Sequence, residues 1–391
     1  MQFTFTALVT LALALAASAA PGKLLTVQKY GGQKVPGSYI VRLKDGVNKD
    51  AVIDSSPSLR ESVTHADWTI INGFAGQLSA DQLNELRASD QVESIHEDGV
   101  VSIQATQTNA AWGLGRISHT NPVSGTITAL NYTYTYSDTY QGQGVDIYIV
   151  DTGINLNHAD FTGRVKFGWT GTGLNQTDDH GHGSHVAGIA AGTRYGVAKQ
   201  ASLISVKVLD SAGSGTLANV VGGFNYVGTA AKSTGRPSLA SASLGGSAST
   251  SIDDAVSALT SAGIHVVVAA GNSNVNAANT SPARVAAAIT VGAIGQTDAK
   301  ASFSNYGAIV DIWAPGVSIT SAGASGTSST IVYSGTSQAT PHVTGLGALY
   351  LSQFGSVSPA TLSSSLWSQS GKITGLPSGS INRLAVGPTL I

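Results

Sequence analysis

Val145-Asp146-Ile147-Tyr148-Ile149-Val150-Asp151-Thr152-Gly153 is the stretch that decides the architecture. It is a near-continuous apolar run of strand length that stops on an aspartate and a turn-forming glycine. A strand that is apolar on both faces is buried on both faces, the condition of a strand inside a helix-covered parallel sheet. Further runs of the same kind follow at 201–209, 238–244, 264–270 and 288–294. Helical patterns lie between them at 182–194, 217–231 and 251–261. The alternation predicts an α/β fold, a doubly wound and mainly parallel sheet. In such sheets ligands bind beyond the carboxyl ends of the strands, which is where chemistry is to be sought.

Working outward, composition divides the 391 residues. Residues 20–104 carry 8 Lys/Arg and 11 Asp/Glu, whereas 105–391 carry 12 and 11, with no glutamate after Glu97. A fall in charge density of that size marks a domain boundary. Ahead of it, 3–19 is an uncharged apolar run ending in Ala17-Ser18-Ala19. That run is too short to span a bilayer but suits a signal peptide, so export is expected. The expected division is therefore a signal peptide over 1–19, a small domain over 20–104 and a large one over 105–391. In the small domain, 38–43 reads as a strand ending at Asp45-Gly46, and Ser79-Ala80-Asp81-Gln82 as a capping box that opens a helix. A small α+β module is expected there.

Hydrophobic residues make up 42% and charged residues 11%, which excludes a disordered chain. A net charge of −2 argues against nucleic-acid binding, and no later segment could span a membrane. The absence of cysteine removes thiol nucleophiles, thiolate metal sites and disulfides. Hydroxyls, imidazoles and carboxylates are what remain.

Three motifs carry such groups at the expected places. Asp151 sits at a strand end, well placed to act in a site; alone it reads as a turn or cap residue. Asp178-Asp179-His180-Gly181-His182-Gly183-Ser184-His185 puts three histidines ahead of a helix of small residues. One could be a general base, or several with Asp178 could bind zinc; for His180 a packed loop position is preferred. Gly335-Thr336-Ser337-Gln338-Ala339-Thr340-Pro341 opens a helix, where a serine hydroxyl lies beside unpaired N–H groups. Alone, Ser337 is a simple cap. Together the three supply Asp, His and Ser in the chain order of the subtilisin arrangement.

On these motifs, with Ser243-Leu244-Gly245-Gly246 and Ala269-Ala270-Gly271-Asn272, the chain from Gln107 onward resembles the subtilisin-like serine proteases, most closely the fungal proteinase K group. Ser184 and Gln338 stand where the common pattern has Thr and Met. The resemblance implies Ser337 as nucleophile, His182 as base and then acid, and Asp151 as its orienting partner. His185 is then structural, and Asn272 donates to the oxyanion together with the Ser337 N–H. Gly213-Ser214-Gly215 and Ser243-Leu244-Gly245 would take a peptide between them as an added strand. The wall formed by Ser243–Gly246 and by Ala269, Ala270 and Gly271 is small and uncharged, implying broad specificity with a large apolar or aromatic P1 residue. Leu217 stands near the S4 region.

The small domain resembles an inhibitor-like propeptide whose end, near Val101-Ser102-Ile103-Gln104, would lie in the active site before self-cleavage near Ala105. One structural calcium ion is implied, held by Asp311 and the carbonyls of Ala286 and Ala288; a second family site is expected to be lost at Lys372. No catalytic cofactor is expected. Expected partners are protein and peptide substrates and the chain's own propeptide, without nucleic acid or membrane, and a monomer is expected. Asn131, Asn175 and Asn279 head sequons. Two rivals are a metallohydrolase built on His180, His182 and His185, and an inactive peptide-binding homologue.

Overall fold

The computed structural model describes residues 24–30, 34–99, 104–368 and 370–387. The signal-like run 3–19 and residues 101–103 lie outside these. The chain forms two compact units that divide between Val100 and Val101.

The first unit is an antiparallel four-stranded sheet ordered Val63–His65, Gly73–Gln77, Lys34–Leu43, Val92–Gly99, with helices at Lys49–Ile53, Pro57–Ser62 and Ala80–Ala88. Val41 on the central strand lies opposite both Phe74 and Ile95, and all three are fully buried. This row of cross-strand contacts is the centre of a small core. The capping box forms as the sequence predicts, Ser79 Oγ accepting from the Gln82 N–H and Gln82 Oε1 from the Ser79 N–H.

The second unit is built on a seven-stranded parallel sheet. Its order is Ile312–Pro315, Ile289–Ile294, His265–Ala269, Ser238–Ala242, Asp146–Asp151, Ser202–Lys207, Val165–Thr170. The period of two along a strand sends Ile147 and Ile149 to one face and Tyr148 and Val150 to the other. The first pair packs with Val186, Ala190 and Val343 on helices His182–Ala191 and Thr336–Phe354. The second packs with Phe224 and Val256 on helices Leu217–Thr234 and Thr250–Ser261. Two apolar faces require two cores, which is why the strand reads as one unbroken run. Helix Thr336–Phe354 is buried along almost its whole length, as expected of a small-residue helix lying under other elements.

The helix expected over 182–194 stops at Ala191. Gly192 turns extended, and the Asp160 carboxylate accepts the Arg194 N–H, so the chain bends back. A further difference concerns Gln104. Expected in the active site, it instead opens strand Gln104–Ala110, which pairs antiparallel with Tyr132–Ser137, Gln104 opposite Ser137. Among the described residues, no helix is long and apolar enough to cross a membrane.

Candidate active site

Asp151 closes its strand fully buried. Its Oδ1 accepts the Thr152 N–H at 2.7 Å and the His182 Nδ1–H at 2.8 Å. The imidazole can be so placed because the 151–153 turn is fastened to the helix that His182 begins. Thr152 Oγ1 accepts the Gly183 N–H and donates to Asp178 Oδ1. Asp178 also accepts the N–H groups of His180, Gly181 and Ser184 and the Ser184 hydroxyl. A buried carboxylate on free N–H groups at a helix start is a strong cap. Ser184, in place of threonine, keeps this role and accepts the Asn155 N–H as well. A Cβ on Gly183 would collide with the Gly153 carbonyl, so only glycine permits the approach.

The Nδ1–H bond to Asp151 leaves His182 Nε2 as the acceptor. Burial works against its protonation, but the Asp151 charge and hydrogen bond, with the Asp178 charge, outweigh this and hold its pKa above the usual 6.5. His185, one turn on, is different. It is fully buried, its Nε2–H donates to the Ile319 carbonyl, and burial drives its pKa down to about 3. Its ring packs 4.9 Å from that of Tyr333. His180 corrects the expectation of a packed loop position: it is exposed on the cleft rim, near Gly213. The three imidazoles thus face different partners, and among the described residues no group of three metal-ligating side chains converges.

Ser337 is the second residue of helix Thr336–Phe354. Pro341, four residues on, has no N–H to offer the Ser337 carbonyl. That carbonyl accepts the Ser243 hydroxyl at 2.8 Å, while Ser337 Oγ donates to the Ser243 carbonyl at 3.0 Å. The Ser337 hydroxyl is thus turned toward Ser243, in a cleft that His182 shares. Catalytic hydrogen bonds in ligand-free sites often close only when substrate binds. Asn272 Oδ1 accepts both the Thr336 N–H (2.8 Å) and hydroxyl (2.9 Å), which leaves Asn272 Nδ2 for the cleft.

The cleft has a volume of about 850 Å³. The segments 213–215, 243–246 and 269–271 all line it, with His182, Asn272 and Ser337. Leu217, 54% exposed, lines it beside Val220 and Ile252. Val275 and Thr280, to which no sequence signal points, also line it, as does Asn279, read from the sequence only as the head of a sequon. Thr280 is held there by the pairing of Thr280–Ser281 with Gly246–Ser247, a contact without a local sequence signal.

An aspartate-held imidazole and a helix-start hydroxyl on one cleft, at the carboxyl ends of a parallel sheet, is the arrangement of a serine protease. The chain belongs to the subtilase family, whose model matches residues 142–383. Residues 38–104 match the family described as Peptidase inhibitor I9, so an inhibitor domain precedes the protease domain. The chain is 41% identical to a cuticle-degrading protease of Metarhizium anisopliae, over 94% of this chain and 93% of the relative. It is 40% identical to a cuticle-degrading serine protease of Arthrobotrys oligospora, over 95% of each. The crystal structure of a cold adapted subtilisin-like serine proteinase matches with TM-score 0.64 and 40% identity, covering 71% of this chain and 98% of that one. The metallohydrolase reading finds no support in the site or in these relatives.

Proposed function

We propose that the chain is a secreted, broadly specific serine endopeptidase made as a self-processed zymogen, with signal peptide 1–19, propeptide 20–104 and peptidase 105–391. Ser337 attacks the peptide carbonyl, and His182 Nε2 takes its proton and returns it to the leaving amine. Asp151 holds the neutral tautomer beforehand and balances the imidazolium afterwards. The Ser337 N–H and Asn272 Nδ2 receive the negative charge that develops on the carbonyl oxygen. The bond between buried Asp151 and His182, facing the cleft that Ser337 lines, carries the reading. A fluorophosphonate should form one adduct, on Ser337, and abolish activity in proportion. Labelling of another residue, or activity that survives full labelling, would refute it.

Substrate binding follows from the cleft walls. Main chain at 213–215 and 243–245 offers hydrogen bonds to any peptide backbone, which supports broad specificity. The wall at 269–271 carries no charge and small side chains, which suits a large apolar or aromatic P1 residue. The signal-like segment 3–19 supports export.

Calcium would stabilise the fold and take no part in the chemistry. Asp311 accepts the Thr290 N–H at 2.9 Å beside the strand that the turn at 286–288 enters. Burial pushes its pKa up to about 6, against the Thr290 N–H bond and the Arg383 charge, which both favour the ionised form. A buried carboxylate suits a hard cation, with the Ala286 and Ala288 carbonyls as the further ligands the family resemblance implies. An ion bound only by the folded state stabilises it. EDTA should shorten the thermal half-life several-fold, and Asp311→Ala should have the shorter half-life with calcium present. An unchanged half-life in either experiment would refute the site.

A further inference from the structure

Gln338, the residue after Ser337, is 2% exposed. Its side-chain Nε2 is buried and makes no hydrogen bond. An unpaired buried donor is costly and calls for a reason. The surroundings of Gly335 supply one. The point where a Cβ on Gly335 would stand is 2.9 Å from Gln338 Oε1, 3.3 Å from Asn272 Nδ2 and 3.6 Å from the Ser337 nitrogen. A small space, kept open by the glycine, is thus ringed by both oxyanion donors and by the Gln338 amide.

The two ends of that amide exchange by a half-turn of its terminal torsion, which is broad and nearly two-fold. Which end faces a given space is decided by hydrogen bonding. With carbonyl oxygen on the reacting bond, the favoured end is the NH2. The half-turn brings Nε2 to the space, where it gains an acceptor, and puts Oε1 in the place that Nε2 held.

We propose that Gln338 is a catalytic residue, its Nε2–H serving as a third hydrogen-bond donor to the oxyanion. This rests on the reading of Ser337 as nucleophile and Asn272 as donor. Methionine, which the related pattern has here, fills the same volume without an N–H.

Gln338→Met is therefore the test. Its kcat should fall about tenfold or more with KM nearly unchanged, and its affinity for a peptide aldehyde, which presents a hemiacetal oxygen, should fall by a similar factor. Its thermal midpoint should hold or rise, since a buried unpaired donor is removed. Unchanged kcat would overturn the proposal, as would a parallel loss of activity and several degrees of thermal stability, the mark of a packing role. If the variant does not fold, the wild-type enzyme with bound aldehyde decides: Gln338 Nε2 within hydrogen-bond distance of the hemiacetal oxygen supports the assignment, and separation beyond 4 Å ends it. Fluorophosphonate labelling keeps the two readings apart. A slow Gln338→Met enzyme that still labels fully at Ser337 concerns Gln338 alone, whereas a wild-type enzyme that does not label refutes the nucleophile itself.

Discussion

Secreted Ser337→Ala protein should accumulate as one uncut chain from about residue 20 onward, while the wild-type enzyme appears as a chain about 85 residues shorter. The substitution deletes one hydroxyl and its bond to the Ser243 carbonyl. The Ser243 hydroxyl still holds the Ser337 carbonyl, and the buried helix around it is unchanged. The fold should therefore survive while turnover falls about 10⁶-fold, a magnitude known from the corresponding serine of subtilisin rather than derived from this chain. A loss of that size stops self-cleavage on any practical timescale.

Gln104 gives the prediction its structural content. Paired with Ser137 in the strand Gln104–Ala110, it is not among the residues that line the cleft. Cleavage at 104–105 by Ser337 therefore has to precede that pairing or undo it. Intact mass and N-terminal sequencing, after expression in a protease-deficient host, decide the matter. A Ser337→Ala precursor cut near residue 105 in that host means that another protease matures the enzyme.

The centre of the fold was legible in the sequence because physics acts there on single residues. Ile147, Tyr148, Ile149 and Val150 each face a dry core, so every position had to be apolar. The sheet's edges were not legible. Val165–Thr170 is half-exposed and reads Val-Lys-Phe-Gly-Trp-Thr, a short alternation unlike the continuous apolar runs of the central strands, and its pairing shifts register between Phe167 and Trp169. Ile312–Pro315 is four residues long and includes a proline, which a central strand would not tolerate.

The candidate site divides in the same way. Asp151, His182, Ser337 and Asn272 could be named from motifs, but the groups that aim them could not. Thr152 meets Asp178 across 26 residues, and Thr336 meets Asn272 across 64. Histidine spacing alone left zinc open. Only the packing of helix His182–Ala191 against the Ile319 carbonyl, which takes His185 away from the cleft, separates the alternatives.

Asp151→Asn should lower kcat/KM by about 10⁴-fold, the scale of loss that a wrong tautomer causes in other Asp-His-Ser enzymes. One oxygen of Asp151 accepts from both the Thr152 N–H and His182 Nδ1, so His182 is held with its proton on Nδ1. Because that one oxygen serves both donors, an asparagine turns its NH2 toward the imidazole by giving up the bond from Thr152. Nδ1 then becomes the acceptor, Nε2 carries the proton, and Ser337 has no base. The substitution also removes a negative charge. In the wild-type enzyme that charge and its hydrogen bond, helped by the Asp178 charge, outweigh burial and hold the His182 pKa above 6.5. Without the Asp151 charge, burial prevails and the pKa falls. Attack requires neutral imidazole, so activity rises with pH through the His182 pKa. The acid limb of kcat/KM should lie above pH 6.5 in the wild-type enzyme and move lower in Asp151→Asn. Asparagine is nearly isosteric, so the thermal midpoint serves as the control for folding. A variant within tenfold of wild type, or an acid limb that does not move, would show that Asp151 does not govern this imidazole.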